Sequence, residues 1–137
     1  MAQTMLFSVV RLKLFLVLHT KDNPSDEEWE SYLRAIKGAR GVNGIMIISD
    51  GGGPTTMQRG KMNDLLEELK FQGKVAVVTV KSMVRGIVTA ISWFNPGIKA
   101  FTTLQIPAAL KYLDFPESEH GVMLAEIQRL RQKLGME

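Results

Sequence analysis

The chain contains no cysteine. Disulfides, thiolate metal sites and cysteine nucleophiles are therefore excluded, and the composition fits a reducing compartment. Histidine is almost missing as well. His19 and His120 are the only two, too far apart in the chain for a histidine-rich metal cluster, and a Ser/His/Asp hydrolase would have to use one of them. His19 ends the first strand and, with no nearby serine elbow or partner acid, reads as an ordinary loop histidine, and His120 as a solvated one at the start of the last helix. Neither a GxGxxG fingerprint nor a Walker lysine is present, since Lys61 lies too far along its helix. No cofactor and no metal is expected.

A long hydrophobic run is lacking too. The most apolar stretch, LFSVVRLKLFLVLHT, is interrupted by Arg11 and Lys13, Leu14 to Leu18 is too short for a bilayer, and no small-residue cleavage site follows. It reads as a strand, and the protein as cytoplasmic with no membrane insertion. Neither charge sign dominates: 17 Lys and Arg face 14 Asp and Glu, for a net +3, and the basic residues are dispersed rather than run together. A nucleic-acid partner is therefore not expected.

What is present is 137 residues at 45% hydrophobic and 23% charged, one ordinary domain able to bury roughly two thirds of its unfolded surface. No repeat, low-complexity tract or long linker divides it. Residues 1–115 are expected as an α/β domain and 116–137 as a carboxyl-terminal helix. The sequence around Val10 to Leu14 alternates and Phe15 to Leu18 is apolar throughout, which suggests a single first strand that begins wet and ends in the core. Ser25 and Glu28 form a capping box for a helix whose Trp29, Tyr32, Leu33 and Ile36 share one face.

Ile45 to Ile48 then make a wholly apolar strand of the kind covered on both faces in parallel sheets. The turn Asp50–Gly53 and a helix from about Thr55 to Gln72 follow, with Met57, Met62, Leu65, Leu66 and Leu69 as its buried side and Gly73 as its carboxyl cap. Val75 to Val80 is the next strand, and Ser82 is placed to cap the helix after it. Trp93 and Phe94 close that helix as core or partial lid before Asn95, Pro96 and Gly97. Ile98 to Phe101 is a short strand, Ile106 to Leu113 a short helix, and Pro116 or Ser118 opens the last helix. Strands separated by single helices require right-handed crossovers, so the expected fold is α/β: a mainly parallel four- to five-stranded sheet with helices packed on it and a carboxyl-terminal amphipathic helix.

Residues 8 to 113 resemble the STAS superfamily, in particular its SpoIIAA-like (anti-sigma factor antagonist-like) branch. The resemblance rests on the order of elements, on IMIISD feeding a turn and helix, on VAVVTV, and on IKAFTTLQIPAALKYL with its Ala109, Leu110 and Leu113. It implies a non-enzymatic regulatory module that binds a protein partner. It also implies phosphorylation of a Ser or Thr at the start of the helix after the central strand, where Thr55 and Thr56 stand. The family's usual Asp-Ser-Ser-Gly is replaced here by Asp50, three glycines and Pro54.

From the residues themselves, the carboxyl edge of the sheet is the candidate site. Asp50 can cap the turn or meet a partner's basic group. Gly51, Gly52 and Gly53 leave main-chain groups accessible and can cradle an anion with the helix terminus behind them. Thr55 and Thr56 are expected to cap the helix, Arg59 to face solvent or bind an anion, and Lys81, Ser82 and Arg85 to complete a protein-binding surface. The alternative occupant is a small anionic or lipid-like molecule; a deep apolar pocket beneath Trp93 and the glycine loop would favour it, whereas a shallow rim would favour a protein partner. Met123, Ile127, Leu130 and Leu134 recur as an apolar stripe, which either packs on the sheet or joins a second copy in a homodimer.

Overall fold

The computed structural model describes residues 3–39, 41–92 and 97–136. Trp93, Phe94, Asn95 and Pro96 lie outside the described residues. The elements run β1 (Met5–Val10), β2 (Leu14–His19), α1 (Asp26–Gly38), β3 (Gly44–Ser49), α2 (Thr56–Glu68), β4 (Lys74–Thr79), α3 (Ser82–Ser92), β5 (Ile98–Phe101), α4 (Ile106–Tyr112) and α5 (His120–Leu134). The strands form one sheet in sequential order, β1-β2-β3-β4-β5. β1 is antiparallel to β2 and every other pair is parallel.

Sequential order has a direct consequence. Each crossover steps one strand in the same direction, and crossovers of one hand then put α1, α2 and α3 on one face. Phe15, Val17 and Ile45 cluster there with Trp29, Tyr32, Ile36, Met62 and Leu65. Alternate residues point the other way. Leu16, Leu18, Met46, Ile48 and Val78 pack beneath α4 and α5, with Leu110, Met123, Ile127 and Leu130.

The apolar stripe of α5 is thus spent on the chain's own sheet. Met123, Ile127 and Leu130 are buried and Leu134 packs partly against the same cluster, which withdraws these side chains as a homodimer surface. The Ser8 hydroxyl donates to Glu126 at 2.6 Å, fastening α5 to β1. Arg129 forks onto the same carboxylate; its hydrogen bond, with Ser8 adding to it and burial opposing, pulls Glu126 down to about 2.

Three expectations need correction. The first strand is a hairpin: Arg11 and Leu12 both have positive φ, 55° and 57°, and Lys13 N–H closes the turn on the Val10 carbonyl at 3.1 Å. This φ pattern belongs to tight hairpin turns that normally carry Asn or Gly, so an Arg-Leu pair gave no turn signal. The left-handed position after α2 is taken by Lys70 (φ 55°) rather than Gly73. Gly73 instead permits close approach, since a Cβ there would stand 1.8 Å from the Asn43 carbonyl oxygen. Met57 and Leu69, both expected on the buried side of α2, are exposed, at 78% and 41%.

Candidate functional site

The β3 strand delivers its end to the carboxyl edge of the sheet, next to the ends of β2 and β4. Asp50 N–H donates to the His19 carbonyl at 3.1 Å and Gly52 N–H to the Thr20 carbonyl at 2.9 Å, so the glycine turn is stitched to the loop after β2. A Cβ on Gly52 would lie 2.2 Å from the Asp22 carbonyl oxygen and 2.5 Å from that of Thr20. Glycine is required there by close approach.

The turn is capped by Ser49, not Asp50. The Ser49 hydroxyl donates to the Gly52 carbonyl and accepts from Gly51 N–H. The Asp50 carboxylate instead turns toward Arg131 of α5, 3.9 Å away. Gly51 is exposed, Gly53 half-buried and Gly52 buried. The expected anion cradle is therefore not formed by Gly51 and Gly52, whose N–H groups are already used within the chain.

At the start of α2, Thr55 caps the helix as expected. Its hydroxyl accepts from Gln58 N–H at 3.2 Å and its N–H donates to Gln58 Oε1 at 2.9 Å. Thr56 is the first helical residue, exposed, and accepts from the Arg59 guanidinium at 3.2 Å. Arg59 is half-buried rather than solvated. Gln58 is the residue that sequence reasoning missed. It is buried; its Nε2 donates to the Pro24 carbonyl and to Asp26, and its main-chain carbonyl accepts from Trp29 Nε1 at 2.8 Å. The one available signal was the Thr-x-x-Gln capping box.

At the end of β4, buried Thr79 accepts Lys81 N–H on its hydroxyl and Arg85 Nη1 on its carbonyl. Ser82 does not cap α3: the Lys81 carbonyl accepts the first helical bond from Arg85 N–H, and exposed Ser82 is already helical. The aliphatic stem of Lys81 lies over Gly51, 3.4 Å from where a Cβ would be. The pairing of β3 with β4 thus brings the Asp50–Arg59 and Lys81–Arg85 segments together.

Beneath this rim opens a cleft of about 350 Å³ between α2 and α3. Its floor is the sheet face of Ile47, Val75 and Val77, its side walls are Met62 and Leu66 on one flank and Val84 and Val88 on the other, and the glycine turn roofs it. Trp29 and His19 line it on the side of β2.

His19 ends a strand, as expected, but it is buried rather than an ordinary loop histidine: it closes β2, is 2% exposed and stacks on Trp29 with ring centroids 6.4 Å apart. Burial pushes its imidazole down from 6.5 to about 4, while the Glu28 carboxylate pulls the other way. Its Nδ1 is buried without a hydrogen-bond partner among the described residues. A wider depression of about 1020 Å³ lies at the opposite, amino-terminal edge of the parallel strands, between Lys13, Lys37, Lys70 and Lys74. No unpartnered buried polar atom lines it among the described residues.

Among the described residues no cluster of His, Asp and Glu could hold a metal ion, and no helix is long and apolar enough to cross a membrane. No protein-family model matches the chain, and no curated protein or solved structure matches it significantly. The case for function therefore rests on this site's own geometry.

Proposed function

We propose that the chain is a non-enzymatic binding module whose occupant is a small, mainly apolar molecule held between α2 and α3. The observation that carries this is the cleft itself: about 350 Å³, lined mainly by apolar side chains, with a few polar ones, His19, Asn23, Ser49, Arg59 and Asn63, among them. That volume and that lining are those of small-ligand sites, which are mostly apolar with a few placed polar groups. An anion-binding turn is less well supported, because Ser49 and the loop after β2 occupy the Gly51 and Gly52 N–H groups.

Titration of methyl-labelled protein with 1-octanol and with 1-fluorooctane tests the reading. Saturable shifts are expected at Ile45, Ile47, Val75 and Val77, with Ile127 and Leu130 silent. Leu66→Trp should fill the cleft and remove those shifts while the other methyl signals stay in place. No saturable shift with either probe would refute it.

A second reading, a protein partner engaging the rim, is favoured by the apolar exposure there: Met57 at 78%, Met83 at 77% and Val80 at 57%. Its test is capture from the native lysate. Val80→Glu with Met83→Glu should lose the captured protein and Leu66→Trp should keep it; equal capture by both variants would exclude the rim. A phosphorylation switch fits Thr56 better than Thr55, whose oxygen is committed to the helix cap. A phosphate on Thr56 would lie beside Arg59 and the positive end of α2. Mass spectrometry after incubation with lysate and ATP should then find it on Thr56, and an unmodified Thr56 would remove the switch.

A further inference from the structure

Resting on the cleft as a ligand site, we infer that its occupant is a neutral amphiphile whose hydroxyl group hydrogen-bonds His19 Nδ1. Three observations lead there. His19 lines the cleft at the carboxyl edge of the sheet, level with Ser49, and its Nδ1, shielded from solvent, is the one buried side-chain polar atom without a partner among the described residues. Such an atom costs stability unless something satisfies it. The buried polar groups that line the cleft with it are already engaged, the Ser49 hydroxyl with Gly51 and Gly52 and Trp29 Nε1 with the Gln58 main-chain carbonyl, whereas Asn23 and Asn63 are exposed to water.

The hydroxyl follows from the chemistry of a buried imidazole. A neutral imidazole ring nitrogen is either a donor or an acceptor, according to the tautomer. A hydroxyl can answer both. A carboxylate cannot be brought there cheaply, because its charge would be buried beside a ring that burial keeps neutral. An anionic head group would stay at the mouth, where Arg59 is half-buried and already turned to Thr56, and would leave Nδ1 unanswered.

The experiment compares 1-octanol, 1-fluorooctane and octanoate, three probes of similar length, by methyl-shift titration. Octanol is expected to bind roughly tenfold tighter than fluorooctane, the factor for one buried hydrogen bond. His19→Leu should abolish that preference. His19→Asn, whose amide can occupy the Nδ1 position with a donor or an acceptor, should restore part of it. In the unmodified protein the imidazole ¹⁵N resonance of Nδ1 should move with octanol and not with fluorooctane, a readout that needs no variant to fold.

Equal affinity for octanol and fluorooctane would overturn the inference while leaving the cleft as a ligand site. So would an octanol preference that survives His19→Leu, an Nδ1 resonance that ignores octanol, or tighter binding of octanoate that depends on Arg59. Failure of all three probes to shift the cleft methyl groups would overturn the ligand site and this inference together.

Discussion

The two faces of the sheet are made by the same strands, residue by residue in alternation, yet one is closed and the other holds a cleft. On the closed face α4 and α5 cover Leu16, Met46, Ile48 and Val78, and Leu110 and Met123 are essentially inaccessible. On the open face α1 packs tightly through an aromatic chain, Phe15, Tyr32 and Trp29, with ring centroids 5.6 Å and 5.0 Å apart. Beyond it, α3 packs on β4 and β5, and space remains between it and α2. Apolar strand residues alone do not make a core; the spacing of the helices above them decides whether a face is filled.

The strongest test of that contrast removes one leucine from each face. Leu110→Ala should cost about 3 kcal/mol, as deletions in a filled core do, whereas Leu66→Ala, already beside open space, should cost under about 1 kcal/mol. Urea midpoints measure both, and equal losses would erase the distinction between the faces.

The next test exploits the buried imidazole of the open face. Its folded pKa of about 4 lies below the ordinary 6.5, so between those values the unfolded chain binds more protons than the folded one. Stability should be full above pH 6.5 and fall by about 3 kcal/mol as the pH drops to 4, then level off in this contribution. Glu28 adds its own loss at lower pH. Although burial raises its carboxyl, the stronger effect comes from hydrogen bonds from Ser25, Thr4 and Met5, which hold it down. His19→Phe should flatten the pH 4 to 6.5 segment of the urea-midpoint profile and leave the acid limb in place; an unchanged profile would place His19 in water.

The smallest effect concerns the mouth. Thr55→Ala removes the cap of α2 and should cost about 1 kcal/mol, with faster amide exchange at Gln58 and Arg59 than at Leu65. Uniform exchange along α2 would mean that the cap does not hold the cleft wall.

Much of this architecture was legible in the chain. The Ser25–Glu28 box starts α1 and Trp29, Tyr32, Leu33 and Ile36 are its buried face; the run Gly44–Ser49 is the central parallel strand. These features are local, set by backbone caps and by side-chain periodicity. The hairpin at Arg11–Leu12 was not legible, because the left-handed turn is enforced by strand pairing against the preference of its residues. The role of Ser49 over Asp50 was hidden for a related reason: which of two neighbouring polar side chains caps a turn depends on what else lies within reach, and Arg131 reaches Asp50 from the far end of the sequence. Gln58 and His19 owe their partners or lack of them to loops distant in sequence.

By itself, the sequence determined the alternation of strands and helices, their apolar faces and the place of the glycine turn, since each depends on residues within a few positions of one another. Tertiary structure alone decided that the α5 stripe would be consumed by the sheet, that Gly52 would be sealed against the Asp22 loop, and that a buried histidine would line a cleft between α2 and α3. Those outcomes depend on packing between segments far apart in the chain, where space and hydrogen-bond partners are shared out only once the whole sheet has formed.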